Sequence, residues 1–202
     1  YMSKVIEKAQ EVHLMESSIR NMSESLDLSS KIKATSDMQD IESSDTVIFC
    51  VPSDAFREVS ELASSYIQES SYLITATKGV EKEGFSLMSQ ILEEHYPANS
   101  IGVISGPNLA EEIAEGQLSG TVIASQDATL RNSVIKDLSN DFFKVYENND
   151  PYGVEMGGAL KNIYAIACGI ADGLNSGENT IGMIMTRGLG EMGRLAADLG
   201  AN

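Results

Sequence analysis

Apolar residues fall into short runs that alternate with segments of helical spacing. Positions 46–51 are almost continuously apolar, which is typical of a strand buried on both faces of a parallel sheet. Pro52 ends this run, and Ser53 or Asp54 is placed to cap the helix that follows. The pattern therefore predicts a buried strand, a tight turn and a helix in succession.

The same alternation extends over most of the chain. Strands are predicted at 31–35, 46–51, 72–76, 101–104, 121–124 and 142–146. Helices are predicted at 3–20, 56–66, 87–94, 108–115 and 127–138. Strands joined by single helices predict an α/β fold with a doubly wound, Rossmann-like parallel sheet. Ligands of such sheets bind beyond the carboxyl ends of the strands, where polar turns stand at 52–53, 77–79 and 105–108.

The alternation stops at 148–151. After it the spacing predicts two helices, from 154 to about 175 and from about 181 to 199, joined by a loop at 175–177. The first is apolar almost all round, which predicts a buried helix. We therefore expect residues 1–150 to form an α/β domain and residues 151–202 to open an all-helical domain.

Composition excludes several classes of protein. The 202 residues are 42% hydrophobic and carry a formal charge of −16, so disorder, general nucleic-acid binding and binding to anionic membranes are not expected. No apolar run is long enough for membrane insertion. Cys50 and Cys168 lie in apolar surroundings and are expected to be buried thiols of a cytoplasmic protein. With two cysteines, and with His13 and His95 lacking partners at ligand spacing, no metal site is expected.

Two lysines are the leading chemical candidates. Lys161 lies on the apolar helix after Gly157 and Gly158, where burial would lower its pKa toward acid–base use. Lys78 follows a strand, where its charge could meet a phosphate or a carbonyl. The alternatives are a Lys161 whose head reaches water and a solvated loop lysine at 78. An ion pair within one helix accounts for Arg187.

An ordered set of motifs resembles bacterial-type NAD(P)-dependent glycerol-3-phosphate dehydrogenase over about residues 31–200. The motifs are Val51-Pro52-Ser53, Ala76-Thr77-Lys78-Gly79-Val80-Glu81, Ile104-Ser105-Gly106-Pro107-Asn108, Gly157-Gly158-Ala159-Leu160-Lys161-Asn162 and Thr186-Arg187-Gly188-Leu189. The resemblance implies interconversion of dihydroxyacetone phosphate and sn-glycerol 3-phosphate with NAD or NADP, which feeds glycerophospholipid synthesis.

The resemblance also implies site roles, residue by residue. Lys161 corresponds to the proton-transferring catalytic residue, and Lys78 to a lysine shared by substrate and cofactor. Substrate contacts fall on Lys78, Gly106, Asn108 and Lys161. Cofactor contacts fall on Lys78, Ala110 and Pro52. Asn108 stands where the family more usually has Ser or Thr, which implies an altered contact and not a lost one.

The chain also departs from the family pattern. No strand followed by a G-x-G-x-x-G turn is identified, so residues 1–150 are interpreted as a partial dinucleotide-binding domain of a chain truncated at both ends. The isolated span is expected to be inactive. Two alternatives stay open at this point: a 6-phosphogluconate- or ketopantoate-type dehydrogenase, and a non-catalytic binding remnant. A homodimer of the complete enzyme is compatible with the resemblance.

Overall fold

A parallel pair of strands and a five-stranded sheet form the α/β part of the fold. The structure, a computed structural model, describes residues 12–15 and 32–201. The strands are β1 (Val12–Met15), β2 (Ile32–Thr35), β3 (Thr46–Phe49), β4 (Tyr72–Thr75), β5 (Ile101–Ser105), β6 (Ser119–Ala124) and β7 (Phe143–Asn148). The α-helices are α1 (Phe56–Ala63), α2 (Met88–His95), α3 (Ala110–Ala114), α4 (Ala128–Leu138), α5 (Pro151–Gly173) and α6 (Glu178–Asp198). The alternation read from the sequence is therefore present from β2 to β7.

The five-stranded sheet has the order β3-β4-β5-β6-β7, and one of its pairs is antiparallel. Leu73 pairs with Ile101 in the parallel part, whereas Ser105 pairs with Val122 in an antiparallel register. The all-parallel expectation is wrong at this pair. The cause is the connection, because α3 has five residues and is too short to carry the chain across a sheet face. The sheet remains mainly parallel and Rossmann-like, as predicted.

Helices cover both faces of this sheet, which gives two apolar cores. Alternate residues of β4 point to opposite faces, so Leu73 joins one core and Ile74 the other. Phe56 of α1 and Leu92 of α2 fill the first core. Leu130 of α4 packs in the second core. The carboxyl ends of β3, β4 and β5 are thereby held at one edge, where polar turns follow them.

The helix predicted for 3–20 is wrong at Val12–Met15, which forms strand β1. The other residues of that prediction lie outside the described residues. Val12 and Leu14 lie two residues apart with His13 between them, a spacing that also fits a strand. Pairing with Ile32–Thr35 supplies backbone hydrogen-bond partners, and this long-range pairing decides between the two patterns.

Three local expectations around β3 are also wrong. The strand is not buried on both faces, since Phe49 alone is fully buried and β3 ends the described sheet. Neither Ser53 nor Asp54 caps α1, because its cap position is Ala55, which makes no side-chain bond. Cys50 is exposed beyond the strand end, and Cys168 is half-buried.

The two long helices pack against each other and α5 also packs against β5 and β6. Gly188 of α6 meets the ring of Tyr164, and the Tyr164 hydroxyl donates to Glu191 at 3.1 Å. The prediction of a buried first helix is wrong along one face, since Ile166 is 64% exposed. Within the described part of the chain, no helix is both long and apolar enough to span a bilayer.

Candidate active site

Lys78 lies directly beyond β4 and is held by the turn beyond β5. Its Nζ donates to the Gly106 carbonyl oxygen at 3.0 Å. The preceding Thr77 is buried, and its hydroxyl donates to the Val51 carbonyl oxygen at 2.7 Å, which ties this turn to the end of β3. The ends of β3, β4 and β5 therefore meet around the base of Lys78.

Gly106 and Asn108 form the next part of the site. A Cβ on Gly106 would stand 2.8 Å from the Gly120 carbonyl oxygen, so the turn approaches β6 more closely than a side chain allows. The Asn108 amide nitrogen Nδ2 donates to Thr121 Oγ1 at 3.0 Å, and that hydroxyl donates to the Ser105 carbonyl oxygen at 3.2 Å. The Ser105 carbonyl oxygen can only accept, so the Thr121 hydroxyl donates to it and accepts from Asn108. The Asn108 atom that faces Thr121 is therefore the amide nitrogen Nδ2. Among the described residues, Asn108 Oδ1 is then a buried acceptor without a partner.

Helix α5 brings Lys161 to the same edge. Gly158 is buried against the end of β5, where a Cβ on it would stand 2.5 Å from Ser105 Oγ and 4.0 Å from Lys78 Cγ. Lys161 lies on the next turn of the helix and is exposed. Of the two interpretations of Lys161, burial is wrong, and the exposed residue agrees with the alternative of a lysine that reaches water.

The charge of Lys161 affects the titration of Lys78. The pKa of Lys78 lies below its ordinary value, first because the group is partly desolvated and second because the nearby Lys161 carries a like charge. Like charges held together disfavour double ionisation and attract an anion. The edge of the sheet thus carries local positive charge in a chain of formal charge −16.

A clamp of ion pairs, formed by Arg57 with Glu81 and Glu94, ties the Lys78 turn to two helices. Arg57 of α1 donates to both oxygens of Glu81, from Nε at 2.5 Å and from Nη2 at 3.0 Å. Its Nη1 donates to Glu94 of α2 at 2.6 Å. The bonds to Glu81 first, and those to Glu94 second, raise the Arg57 pKa further. Since Glu81 follows Lys78 by three residues, the clamp fixes the turn to two helices.

A buried carboxylate holds α5 in the same way. Glu155 is 3% exposed and accepts from the Ser89 backbone nitrogen at 3.2 Å and from Ser89 Oγ at 2.5 Å. Burial raises its pKa to about 7, although the Ser89 bonds oppose that shift. Ser89 lies in the first turn of α2, so α2 is fastened to both lysine-bearing segments.

The other predicted residues lie around this centre. Pro52 is exposed in the turn after β3, next to Ser53, which packs against Gly79. Ala110 is exposed at the first position of α3. In the part of the chain that the structure describes, Arg187 forms no ion pair with Glu191, which instead accepts from Tyr164. His95 contacts Ser60 Oγ through Nδ1 at 2.8 Å, in keeping with a packing role.

The glycine spacing of a dinucleotide turn does occur once, but without the strand that the expected turn follows. Gly188, Gly190 and Gly193 match G-x-G-x-x-G. All three lie inside α6 and follow no strand, so their backbone amides are engaged in a helix. This match does not form a phosphate-binding turn.

Sequence reasoning missed four supporting residues. Thr121 and Arg57 carry no local signal, because their partners lie far away in the sequence. Glu155 could have been recognised, since an acid within an apolar helix is as conspicuous as Lys161. Ser89 follows from Glu155 only once the helices are placed in space. In the described ranges, no cluster of three potential ligands is arranged to hold a metal ion.

The sequence is similar to a known enzyme family, and this similarity agrees with the arrangement at the sheet edge. The sequence model described as "NAD-dependent glycerol-3-phosphate dehydrogenase N-terminus" matches residues 3–131, and the corresponding C-terminus model matches residues 150–202. The chain belongs to the NAD-dependent glycerol-3-phosphate dehydrogenase family. Membership of this family decides against the 6-phosphogluconate- and ketopantoate-type alternatives.

Named relatives agree with this family. A glycerol-3-phosphate dehydrogenase [NAD(P)+] of Alcanivorax borkumensis is 47% identical over 177 residues, which is 87% of this chain and 52% of that protein. One from Saccharophagus degradans is 46% identical, covering 87% of this chain and 49% of that protein. The crystal structure of glycerol-3-phosphate dehydrogenase from Coxiella burnetii superposes with a TM-score of 0.90 at 33% identity, covering 99% of this chain and 65% of that one.

The chain spans about half the length of the curated relatives that it matches. The residues at the sheet edge fit part of a dinucleotide site. The exposed residues Cys50 and Pro52 follow β3, the Lys78 turn follows β4, and Asn108 offers an acceptor without a partner among the described residues. These residues fit one part of a dinucleotide site, while among the described residues no G-x-G-x-x-G turn follows a strand.

Proposed function

We propose that this chain takes part in the interconversion of dihydroxyacetone phosphate and sn-glycerol 3-phosphate with NAD or NADP. The observation that carries the proposal is the meeting of Lys78 and Lys161 at the carboxyl edge of the sheet, in a chain of this family. The names of the relatives support the choice of substrate and cofactor. The position agrees with the general rule for ligands of open α/β sheets.

In this proposal the two lysines have different tasks. The reduced nicotinamide supplies the hydride when it is bound. Lys161, exposed at the edge of the site, donates a proton to the C2 oxygen during reduction and takes it back during oxidation. Lys78, fixed by the Gly106 carbonyl, stabilises negative charge on the same oxygen and contacts the cofactor.

The turn beyond β5 supplies the remaining contacts. Gly106 lets the backbone approach, and Asn108 Oδ1 accepts a hydrogen bond from a donor group of the ligand, because its Nδ2 is already engaged by Thr121. Pro52 and Ala110 lie on the two flanks, where we propose cofactor contacts. A lysine pair beside a lone amide acceptor suits a small phosphorylated hydroxyketone.

The same proposal covers organisation and location. We infer a partial dinucleotide-binding domain at 1–150 and the opening of a helical domain at 151–202, supported by the start of α5 at Pro151 with Asp150 as its cap. A cytoplasmic location is supported by two unpaired cysteines. A homodimer of the complete enzyme is part of the proposal, and analytical ultracentrifugation of that enzyme tests it.

Turnover tests the proposal directly. Residues 1–202 are joined to the flanking segments of the Alcanivorax relative, and dihydroxyacetone phosphate-dependent loss of NADH or NADPH absorbance is followed. Lys161→Ala should lower turnover roughly 100-fold or more, because general acid–base catalysis is lost. Lys78→Ala should weaken substrate and cofactor binding together.

The control is Lys144→Ala, which removes an exposed lysine from β7. It should retain the activity of the parent. Near-normal turnover of the Lys161 variant would remove that residue from the mechanism. The 202 residues assayed alone are expected to show no turnover, and robust activity from them would mean that every binding element lies within the span.

A further inference from the structure

The contact between Glu155 and Ser89 joins two segments that carry different parts of the site. Ser89 belongs to α2, and Glu155 to the second turn of α5. Both carboxylate oxygens are used, one by the Ser89 backbone nitrogen and one by its hydroxyl. Burying a carboxylate to this degree is costly, and its hydrogen bonds to Ser89 offset part of that cost.

The carboxylate completes the amino end of α2. The cap position of that helix is Leu87, which has no side-chain acceptor. Glu155 therefore supplies from α5 the acceptor that a Ser or Asp would supply locally. The positive end of the helix dipole favours this placement. The bond thus fastens α5 to α2, rather than merely filling space between them.

α2 is itself a fixed base. Its Ile91 and Leu92 are buried in the core, and its Glu94 is bound by Arg57, which also grips Glu81 behind the Lys78 turn. The segments that carry the two lysines are consequently both attached to α2. The Lys78 turn is attached through Arg57, and the helix of Lys161 is attached through Glu155.

The distance from Glu155 to Lys161 makes the attachment matter. Six residues of helix advance about 9 Å, so a shift or rotation of α5 at Glu155 is passed on to Lys161. Gly158 lies between them, where a Cβ would stand 2.5 Å from Ser105 Oγ and 4.0 Å from Lys78 Cγ. No flexible side chain lies between the helix and Ser105 at this point to compensate for a displacement.

We propose that Glu155 is a positioning residue, which holds α5 on the amino end of α2 and thereby sets the separation of the Lys161 and Lys78 ammonium groups. It touches neither lysine and acts through the helix. The inference serves the proposed function, but it concerns geometry and is tested without turnover. Either can therefore fail while the other stands.

The test uses the pKa of Lys78 to report the separation of the two lysines. Lys161 is the charged group that lowers this pKa, after desolvation, and Glu155 is not among its causes. Isotope-labelled lysine side chains of the 202-residue chain are titrated by NMR, with Lys78→Arg and Lys161→Arg for assignment. Glu155→Ala should raise the pKa of Lys78 toward its ordinary value, because the lysines separate.

The matched control is Glu155→Gln. It removes the same charge but keeps an acceptor for the Ser89 nitrogen and a donor for its hydroxyl, so the Lys78 titration should match that of the parent. Glu93→Gln, which removes the carboxylate that faces Glu155 from α2, should also leave it unchanged. Circular dichroism establishes that each variant is folded.

The outcomes separate the possibilities. An unchanged Lys78 titration in folded Glu155→Ala overturns the proposal, as does an equal shift in the Gln variant, which would assign the effect to charge. If the Ala variant does not fold, Ser89→Ala removes only the hydroxyl bond and should still shift Lys78 in the same direction. No shift in folded Ser89→Ala then overturns the proposal.

Discussion

Lys78 and Glu155 are both held in surroundings that oppose their ionised forms, but for different reasons. The Lys78 ammonium is partly desolvated and lies beside a second cation, which lowers its pKa. The Glu155 carboxyl is removed from water almost completely, which raises its pKa to about 7. The first arrangement is poised for an anionic ligand. The burial of Glu155 makes its ionised form unfavourable in the folded state.

That cost predicts how stability depends on pH. The pKa of Glu155 is about 7 in the folded chain against an ordinary 4.5, so the folded state binds more protons between these values. The contribution of Glu155 to the free energy of unfolding is therefore complete below pH ~4.5 and falls as the pH rises through ~7, by about 3 kcal/mol in all. Urea unfolding at about pH 5 and pH 8 measures this fall.

Glu155→Gln isolates the contribution from other titrating groups. The variant should unfold at a urea concentration close to that of the parent near pH 5, where both side chains are neutral in the folded chain. Near pH 8 it should need more urea than the parent, because an amide is buried without a charge. Parallel pH profiles for the two proteins would contradict the assignment.

At the scale of elements, α5 combines two adjacent glycines with opposite surroundings. A Cβ on Gly157 would meet nothing within 4 Å, whereas one on Gly158 would stand 2.5 Å from Ser105 Oγ. Both lie inside the helix, where Ala is favoured over Gly by roughly 1 kcal/mol. The same substitution therefore has opposite consequences at neighbouring positions.

Gly157→Ala should raise the thermal unfolding midpoint, because helix propensity acts there without a clash. Gly158→Ala should lower it, since the Ser105 side chain or the helix has to move, and it should also disturb the Lys78 titration. Each change is measured by circular dichroism on heating and by NMR. Equal effects of the two substitutions would mean that α5 does not approach β5 as described.

The elements differ in how far the sequence foretold them. Strands β4 and β5 were predictable because each is a short apolar run that is mostly buried. Both lie inside the sheet, between strands that neighbour them in the sequence. Strand β1 was not, because its pattern fits helix and strand alike and its partner at Ile32–Thr35 decides. The antiparallel direction of β6 depends on the length of α3, which periodicity does not measure.

The candidate site divides in the same way. Lys78 and Lys161 were found because a charge at a strand end and a charge in an apolar helix stand out locally. Arg57 and Thr121 were not, since their roles exist only after distant segments meet. Single-residue chemistry is visible in the sequence, whereas support from behind a site depends on tertiary contacts.

Across the whole molecule, a strongly acidic surface adjoins an apolar one. Ile163, Ile166 and Ile170 of α5 are each more than half exposed, and Leu189 of α6 is 69% exposed. Contiguous apolar surface favours association, while a net charge of −16 opposes it. The balance between the two depends on salt.

We expect the 202-residue chain to self-associate, and to do so more as salt screens its charge. Size-exclusion chromatography with light scattering measures this at low and high ionic strength. Ile166→Glu should reduce association, whereas Leu118→Glu, at an exposed position before β6, should not. A chain that is monomeric under all these conditions would contradict the expectation.

The lysine pair also bears on how such a site is inherited. Lys78 lies in the segment matched at 3–131 and Lys161 in the segment matched at 150–202. A recombination breakpoint between these segments would combine two lysines that come from different parents. An exchanged helical segment would place the pair correctly only if it brought a glycine to seat on Ser105 and an acid to reach Ser89. We therefore expect a chimera of two relatives joined between these segments to keep the lysine pair in place only when both contacts are kept.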